Sequence, residues 1–397
     1  MPHPPASDLT DPAGPGIPLG GYSIALKTGF QETTRRVQEI HCAIADLSIF
    51  QVLRWIPGMA GPARLAQDVH DAVVSGIYAA VRHSGGGLLA AAALLEQQVA
   101  TTTPVATTPP SRLVTGLRSA LNAAVGDYLA DSANPLAIPM GFYAAGHQIP
   151  LTNEGLRAHV SDPSDRLCVF IHGLGCDEHG WQWYADTAWD PPGQHYGARL
   201  QTDLGYTPLY LRYNTGLPIT DNGRQLMRQL SALLAVWPQP VRELVLIGHS
   251  MGGLVARSAC DEAAAEGLSW LEPTHMVICL GSPHRGAPLE QLGHLTTTAL
   301  HLSKLTAPLG KIAAARSAGV KDLRHGLWAH EERTQAAAVA SSVAYRFISA
   351  NLSGDPDHPL GHILGDGLVT LGSATPPALA DDVDSVRLGG LSHMALL

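Results

Sequence analysis

One short turn constrains the fold of this chain more than any other feature of its sequence. The hexapeptide GHSMGG (248–253) follows the apolar run RELVLI (242–247) directly and precedes a segment with helical spacing. A G-x-S-x-G pattern between a strand and a helix holds its serine in a tight, strained turn at the helix N-terminus. A side chain at Gly248 or Gly252 would collide there with neighbouring backbone. The pattern therefore predicts a strand–turn–helix unit that pushes the hydroxyl of Ser250 out of the turn.

Apolar runs recur on both sides of this turn and alternate with helical segments. The strand-like runs are LCVFI (167–171), TPLYLRY (207–213), RELVLIG (242–248), HMVICLG (275–281), AYRFISA (344–350) and DSVRLGG (384–390). Two of the intervening helices are predicted to begin at Asp221 and at Met251. Near-continuous apolar strands joined by helices are typical of a mostly parallel sheet with helices on both faces. Together with the serine turn, they predict an α/β-hydrolase domain over residues 135–397.

The first third of the chain has a different character. Residues 1–27 form a Pro/Gly-rich leader that we predict to be disordered, and they lack the pattern of a signal peptide. Residues 28–134 carry apolar side chains at three- and four-residue steps, which predicts an N-terminal helical region. The apolar stretch 72–95 is interrupted by Arg82 and by three glycines, so no transmembrane span is predicted.

A long insertion separates two of the predicted strands. Residues from about 284 to 340 contain no strand-like run, although a crossover of about a dozen residues would suffice to join parallel strands. Long connections in compact domains tend to be functional, and this one leaves the sheet beside Ser250. We predict a helical lid, the alternative being a helical layer packed away from the serine. The apolar residues expected to roof the site include Leu292, Leu295, Leu300, Leu302, Leu305 and Leu309.

The groups that activate the serine follow it in a fixed order in this fold, the acid first and the histidine last. His393 is the only histidine after Asp366 and lies just past the last predicted strand. Asp366 lies between two glycines, in a turn that can hold a carboxylate rigid. Asp355 and Asp357, in the loop DPDHP, are the less favoured acids. We predict Ser250 as the nucleophile, His393 as the general base and Asp366 as the orienting acid, with no cofactor.

Acyl transfer by a serine also needs two hydrogen-bond donors for the negative charge that develops on the substrate oxygen. The first predicted donor of this oxyanion hole is the N–H of Met251, directly after the nucleophile. The second is the N–H of Leu174, in the His-Gly-Leu-Gly stretch after the first strand. His172 and His249 are interpreted as structural, because neither has the position in the chain that the base requires.

Several stretches together resemble one family. They are FIHGLG (170–175), HYGARLQTDLGYTPLYLRYNTG (195–216), LVLIGHSMGGLVARSA (244–259), LGSPHRGAPLE (280–290), RSAGVKDLRHG (316–326) and GDGLV (365–369). Over about residues 140–397 the chain is similar to bacterial lipase/esterase-like α/β hydrolases related to the GPI inositol-deacylase (PGAP1-like) family. The resemblance implies the fold, the triad and an ester-cleaving activity, but not GPI as the substrate. One departure is that only four residues follow His393, so something other than a following helix must support its loop; the N-terminal helices are one candidate.

Composition excludes some functions and leaves others open. Only 15% of the residues are charged, the net charge is −9, and no run of Lys or Arg occurs, so no nucleic-acid partner is predicted. Scarce charge and the apolar insertion favour a hydrophobic ester or lipid substrate, cleaved through an acyl-enzyme intermediate. An acyltransferase with the same triad is an alternative, and so is a non-catalytic scaffold of the same fold.

Three smaller groups bear on the site. One could ligate a metal, although loop histidines are usually solvated and we predict no metal: Asp355, Asp357, His358 and His362. Four aromatic residues either pack against the sheet edge or line an acyl pocket: Trp181, Trp183, Tyr184 and Trp189. The five cysteines lack metal-type spacing and predict reduced, buried thiols in a cytoplasmic protein, Cys176 lying closest to the functional loop.

Overall fold

The computed structural model describes residues 112–144, 146–287, 317–325, 343–355, 365–374 and 384–397, with six isolated helical positions between 35 and 75. The predicted leader, most of the predicted N-terminal helical region and most of the predicted lid lie outside the described residues. The boundaries proposed for these parts therefore stay predictions.

The described residues form one eight-stranded sheet, in the order β2-β1-β4-β3-β5-β6-β7-β8. The strands are β1 (Gly141–Ala144), β2 (His147–Gln148), β3 (Arg166–Ile171), β4 (Thr207–Arg212), β5 (Glu243–His249), β6 (Thr274–Leu280), β7 (Ala344–Ala350) and β8 (Asp384–Leu388). Strands β3 to β8 are parallel, whereas β1 pairs antiparallel with β2 and β4. The predicted α/β-hydrolase fold is confirmed, and all six predicted strands are present. Sequence reasoning missed β1 and β2, which are too short to show a period.

Helices connect the strands and cover both faces. They are α1 (Arg112–Asp131), α2 (Asn153–His159), α3 (Tyr196–Leu204), α4 (Ile219–Val236), α5 (Met251–Glu266), α6 (Ala318–His325) and α7 (Leu371–Ala374), with 3-10 turns at Glu178–Gln182, Ser269–Leu271 and His393–Leu396. Helix α5 begins where the sequence predicts, and α4 begins two residues before Asp221. Among the described residues, no helix has both the length and the apolar character needed to cross a membrane.

The two faces of the sheet bury two different hydrophobic clusters. In β3, Val169 packs in a cluster with residues of α4 and α5, whereas its neighbour Phe170 packs on the other face. The second face also buries the C-terminal residues Met394, Leu396 and Leu397. Successive side chains of a strand point to opposite faces, so a strand buried on both sides must be apolar throughout. This is why the central strands appear in the sequence as unbroken apolar runs.

The parallel order brings the carboxyl ends of the strands to one edge. Gly248 of β5 pairs with Ile171 of β3 and with Cys279 of β6, so the chain leaves these three strands at the same level. The segments that follow them carry the predicted oxyanion loop, Ser250 and Gly281. Ligands of open α/β sheets bind at this edge.

Candidate active site

Ser250 occupies the strained turn that the sequence predicts. Its backbone has φ 53° and ψ −120°, outside the regions that L-residues prefer, and such strain typically costs about 1–3 kcal/mol. A Cβ on Gly248 would lie 2.3 Å from the nitrogen of Gly253, and one on Gly252 would lie 2.1 Å from the carbonyl oxygen of Ile171. The expectation that only glycine fits at both positions is confirmed. The Ser250 amide donates to the carbonyl of Leu280 at 2.8 Å, which ties the turn to the neighbouring strand.

Asp366 is held by its own turn and by one histidine. Its Oδ1 accepts hydrogen bonds from the amides of Leu368, at 3.0 Å, and Val369, at 2.8 Å. Gly365 has φ 55°, and a Cβ there would lie 1.9 Å from the carbonyl oxygen of Val369, so the turn requires glycine. The second oxygen, Oδ2, lies 2.8 Å from Nδ1 of His393, and both side chains are 1% exposed. The carboxylate is therefore buried with a fixed direction.

The hydrogen bond to Asp366 decides which nitrogen of His393 carries the proton. A carboxylate accepts, so Nδ1–H donates, and in the neutral ring this leaves Nε2 as the acceptor. Both His393 Nε2 and Ser250 Oγ are buried atoms with no hydrogen-bond partner among the described residues. A bare ring nitrogen held by a carboxylate is the form in which histidine can take a proton from a hydroxyl.

The loop of His393 is supported by the sheet and by the nucleophile turn. The His393 amide donates to the carbonyl of Asp366 at 3.0 Å, and its carbonyl lies 3.0 Å from Nε2 of His249. The hydroxyl of Tyr196 donates to the carbonyl of Leu396 at 3.3 Å. Leu396 and the chain end Leu397 are buried in the cluster on that face. Most of the predicted N-terminal helical region lies outside the described residues, so its suggested support of this loop stays a prediction.

His249 and His172, which the sequence analysis interprets as structural, form hydrogen bonds with backbone carbonyls. His249 donates through Nε2 to a carbonyl, and its ring centre lies 4.7 Å from that of His393. Burial, with the nearby charge of His393, holds the pKa of His249 well below its usual value. His172 donates through Nδ1 to the carbonyl of Gly173, and burial lowers its pKa as well. Both rings are therefore neutral, which agrees with the structural roles that the sequence suggests.

The predicted oxyanion loop touches the nucleophile. A Cβ placed on Gly173 would lie 3.0 Å from Cβ of Ser250. The amide of Gly175 donates to Thr215 Oγ1 and that of Cys176 to the carbonyl of Gly173, each at 3.2 Å. No described residue accepts the amide of Leu174, the predicted donor. Its role and that of Met251, which is fully buried, stay predictions.

Of the less favoured acids and the residues of the metal hypothesis, only Asp355 lies within the described residues. Asp355 is exposed, and its amide donates to the hydroxyl of Ser353. Asp357, His358 and His362 lie outside the described residues.

The oxyanion loop continues into an acidic group that sequence reasoning missed. Ligand atoms of Asp177, Glu178 and His179 lie within 4.8 Å of one another. They are already engaged, since Glu178 pairs with Arg212 and His179 Nδ1 lies 3.2 Å from Asp177 Oδ1. Burial, followed by the charge of Asp177, raises the pKa of Cys176 to about 12, so this thiol is not reactive.

Of the aromatic residues that follow this loop, Trp181 is buried against the sheet and Trp183 is exposed. Trp181 is 1% exposed and stands edge-on to Phe170, with ring centres 4.9 Å apart. Trp189 stands edge-on to Tyr196 at 5.1 Å, whereas Trp183 is 43% exposed. Packing against the sheet is therefore the better interpretation for Trp181.

Part of the predicted lid can be located. In α6, the amide of Gly319 donates to the carbonyl of Gly216 at 3.0 Å. A Cβ on Gly319 would lie 3.1 Å from Cε of Met251, so this helix packs beside the residue that follows Ser250. The leucines expected to roof the site lie outside the described residues, and the roof stays a prediction.

Comparison with protein families agrees with this architecture. Residues 162–308, which include the oxyanion loop and the serine turn, match the model of the PGAP1-like alpha/beta domain. The expected resemblance to that family is confirmed over this segment. The mostly parallel sheet and the strand–turn–helix unit of Ser250 are those of the α/β-hydrolase fold. Comparison with curated proteins gives no match.

Comparison with solved structures finds bacterial and fungal lipases and a phospholipase that are similar to this chain at TM-scores below 0.5. The mature lipase BlEst2 of Bacillus licheniformis is 22% identical, with a TM-score of 0.43, over 59% of this chain and 87% of the lipase. Lipase B of Aspergillus fumigatus is 9% identical, with a TM-score of 0.38, over 64% and 52% of the two chains. Phospholipase PlaB of Legionella pneumophila is 14% identical, with a TM-score of 0.35, over 53% and 45%.

Proposed function

We propose that this chain is a serine hydrolase that cleaves carboxylic esters through an acyl-enzyme intermediate. One observation carries the proposal. A buried carboxylate, Asp366, fixes His393 with its bare nitrogen available, at the sheet edge where Ser250 lies in a strained turn. The family match over residues 162–308 supports the same class of chemistry.

The proposed mechanism assigns a step to each group. Ser250 Oγ attacks the ester carbonyl while its proton passes to His393 Nε2, and a tetrahedral oxyanion forms. The amides of Leu174 and Met251 donate to that oxyanion, and loss of one such donor typically costs about 3 kcal/mol in the barrier. His393 then returns the proton to the leaving alcohol, and the C–O bond breaks to give the acyl-enzyme. Water, deprotonated by the same nitrogen, then attacks the acyl carbon. The bond to Ser250 Oγ breaks as His393 returns the proton to that oxygen, which releases the acid and restores the serine.

Asp366 has an orienting role in this scheme. Its hydrogen bond keeps the proton of the neutral ring on Nδ1 and stabilises the imidazolium that forms during attack. Two backbone amides hold the carboxylate itself, so the direction of the ring does not depend on a flexible side chain. No step in the scheme calls for a cofactor or a metal.

The acyl group is expected to be hydrophobic. This part of the proposal rests on the leucine-rich sequence of the predicted lid and on the low share of charged residues, 15%. A helix in the second half of that insertion, α6, packs beside Met251, so this part of the insertion lies close to the nucleophile. A series of nitrophenyl esters of increasing chain length tests it, and a preference for acetate over the longer esters would contradict it.

The test of the chemistry is the replacement of the nucleophile. Ser250→Ala should abolish labelling by a fluorophosphonate probe and lower kcat for a nitrophenyl ester by about 10⁶-fold. The matched control is Ser258→Ala, since Ser258 is also buried on α5 but packs against α4, and it should keep both labelling and turnover. Turnover of Ser250→Ala within tenfold of the wild type would refute the assignment, and an unlabelled wild type would favour the scaffold alternative.

A further inference from the structure

One segment contacts the oxyanion loop at three successive points. Residues 212–215, at and just after the end of β4, form what we call the β4 arm. The hydroxyl of Tyr213 donates to the carbonyl of His172 at 2.8 Å, and the two rings stack with centres 4.5 Å apart. Thr215 Oγ1 accepts the amide of Gly175 at 3.2 Å. The arm therefore holds the entry of the loop through Tyr213 and its middle through Thr215, and it holds the exit of the loop through the pair between Arg212 and Glu178.

The contact at Thr215 lies next to the predicted oxyanion donor. Gly175 follows Leu174 directly and has φ 70°, in the left-handed region. The direction of a backbone N–H is set by the plane of its peptide, and adjacent planes share one Cα. An anchor on the Gly175 amide therefore limits how far the neighbouring Leu174 peptide can rotate away from Ser250.

Thr215 is itself held rigidly. It is 1% exposed, and the residues on both sides of it are fixed by hydrogen bonds. Asn214 Oδ1 accepts the amide of Gly216 at 3.0 Å, and its Nδ2 donates to the carbonyl of Gly126 in α1 at 2.8 Å. Asn222 of α4 donates to the carbonyl of Asn214 at 3.0 Å. A hydroxyl mounted in this way acts as a fixed acceptor.

We propose that Thr215 is a positioning residue that keeps the Leu174 amide aligned with the oxyanion, through its hydrogen bond to Gly175. The inference rests on the proposed ester hydrolysis. The inference goes beyond that activity, because it assigns the alignment of the oxyanion-hole donor to the β4 arm and, through Asn214, to α1. A donor helps the transition state only when it lies about 2.7–3.1 Å from the oxyanion. Misplacement by about 1 Å can cost about 100-fold in rate.

Two substitutions separate the hydroxyl from the shape of the side chain. Thr215→Val keeps the volume and removes the acceptor, whereas Thr215→Ser keeps the acceptor and removes a methyl group. We expect Thr215→Val to lower kcat roughly 10- to 100-fold with KM within about threefold of wild type, since the loss falls on the transition state. Thr215→Ser should stay within about threefold of wild type in both constants. The contacts of Asn214 persist in both variants, so both should fold, which thermal unfolding checks.

A transition-state analogue provides the readout that a merely structural role would not move. An alkylboronic acid forms a tetrahedral adduct on the serine and places an oxygen in the oxyanion hole. Its inhibition constant should rise for Thr215→Val in proportion to the loss of kcat/KM. An unchanged constant, turnover of Thr215→Val close to wild type, or equal losses in the Val and Ser variants would each overturn the inference.

The same experiment separates the two proposals. A wild type without Ser250-dependent turnover contradicts the proposed function and the inference with it. A wild type with Ser250-dependent turnover that Thr215→Val leaves intact contradicts the inference alone.

Discussion

Two of the buried carboxylates at this edge of the sheet, Asp366 and Glu178, differ in the groups that hydrogen-bond to them. Asp366 accepts from two backbone amides and from a histidine, with its side chain 1% exposed. Glu178 pairs with both ends of the Arg212 guanidinium, with side-chain exposures of 5% and 9%. Arg212 also lies 4.1 Å from the centre of the Tyr143 ring.

The difference shows why burial alone does not mark a catalytic acid. An arginine keeps its proton at any physiological pH, so the Glu178 pair is a fixed bridge between β4 and the oxyanion loop. A histidine can gain and lose a proton, so the Asp366 pair can take part in proton transfer. We therefore expect changes at Asp366 to affect mainly activity and changes at Glu178 to affect mainly stability.

The largest expected effect is on the Asp366 side. Asp366→Asn should lower kcat by about 10⁴-fold, because the amide donates to His393 and favours the wrong tautomer. The amide oxygen can still accept the two backbone amides, so thermal unfolding should change little. Asp355→Asn, on an exposed residue, is the control and should keep full activity. A comparable loss in Asp355→Asn or Asp357→Asn instead would mean that the acid is misassigned.

In the Glu178 pair, by contrast, Glu178→Gln should lower the free energy of unfolding. It leaves the charge of Arg212 buried without its partner, which typically costs about 3–5 kcal/mol in the free energy of unfolding. Denaturant unfolding measures this cost. The matched control is Glu243→Gln: its partner Arg166 lies 2.8 Å away, but the side chains are 26% and 29% exposed, and such pairs contribute about 0–1 kcal/mol. Equal losses in the two variants would remove the distinction between the buried and the half-exposed pair.

The pH dependence of stability tests His284, a buried histidine for which the described residues offer no carboxylate partner. Burial, followed by the charge of Arg257, holds the pKa of His284 well below its usual value, so the folded state keeps this ring neutral. Unfolded histidine titrates near pH 6.5, so below that the unfolded state binds the extra proton and stability falls as pH falls. Each such group contributes up to about 1.4 kcal/mol per pH unit. His284→Gln should flatten the decline between pH 6.5 and pH 5, and the exposed His275→Gln should not. An identical slope in wild type and His284→Gln would contradict the assignment.

The smallest effect is expected from chelation. Because Glu178 is already engaged by Arg212 and Asp177 by His179, the acidic group after the oxyanion loop has its partners without an ion. Dialysis against EDTA should therefore leave ester hydrolysis within about twofold of the untreated protein, since the triad scheme needs no metal. A large loss that calcium or zinc restores would show that a metal site is present.

Local patterns carried much of the prediction. Strands buried on both faces appear as unbroken apolar runs, so their bounds could be read to within two residues. Strands β1 and β2 were not predicted, because their four and two residues are too few to show an alternating pattern. Sequence reasoning missed the role of the β4 arm for a different reason. Tyr213 and Thr215 form hydrogen bonds with residues about 40 positions away in the chain. Polar residues after a parallel strand were the only local signal of their role.

The sequence by itself determined the strand–turn–helix unit around Ser250, the order of the strands along the chain, and the glycines without which two turns cannot close. These are local properties, set by steric contacts between residues a few positions apart. Only the tertiary structure decided that the loop of His393 is supported by His249 and the sheet face, and that Arg212 pairs with Glu178. Those contacts join residues from different strand ends, and strand ends meet only when the parallel sheet has formed.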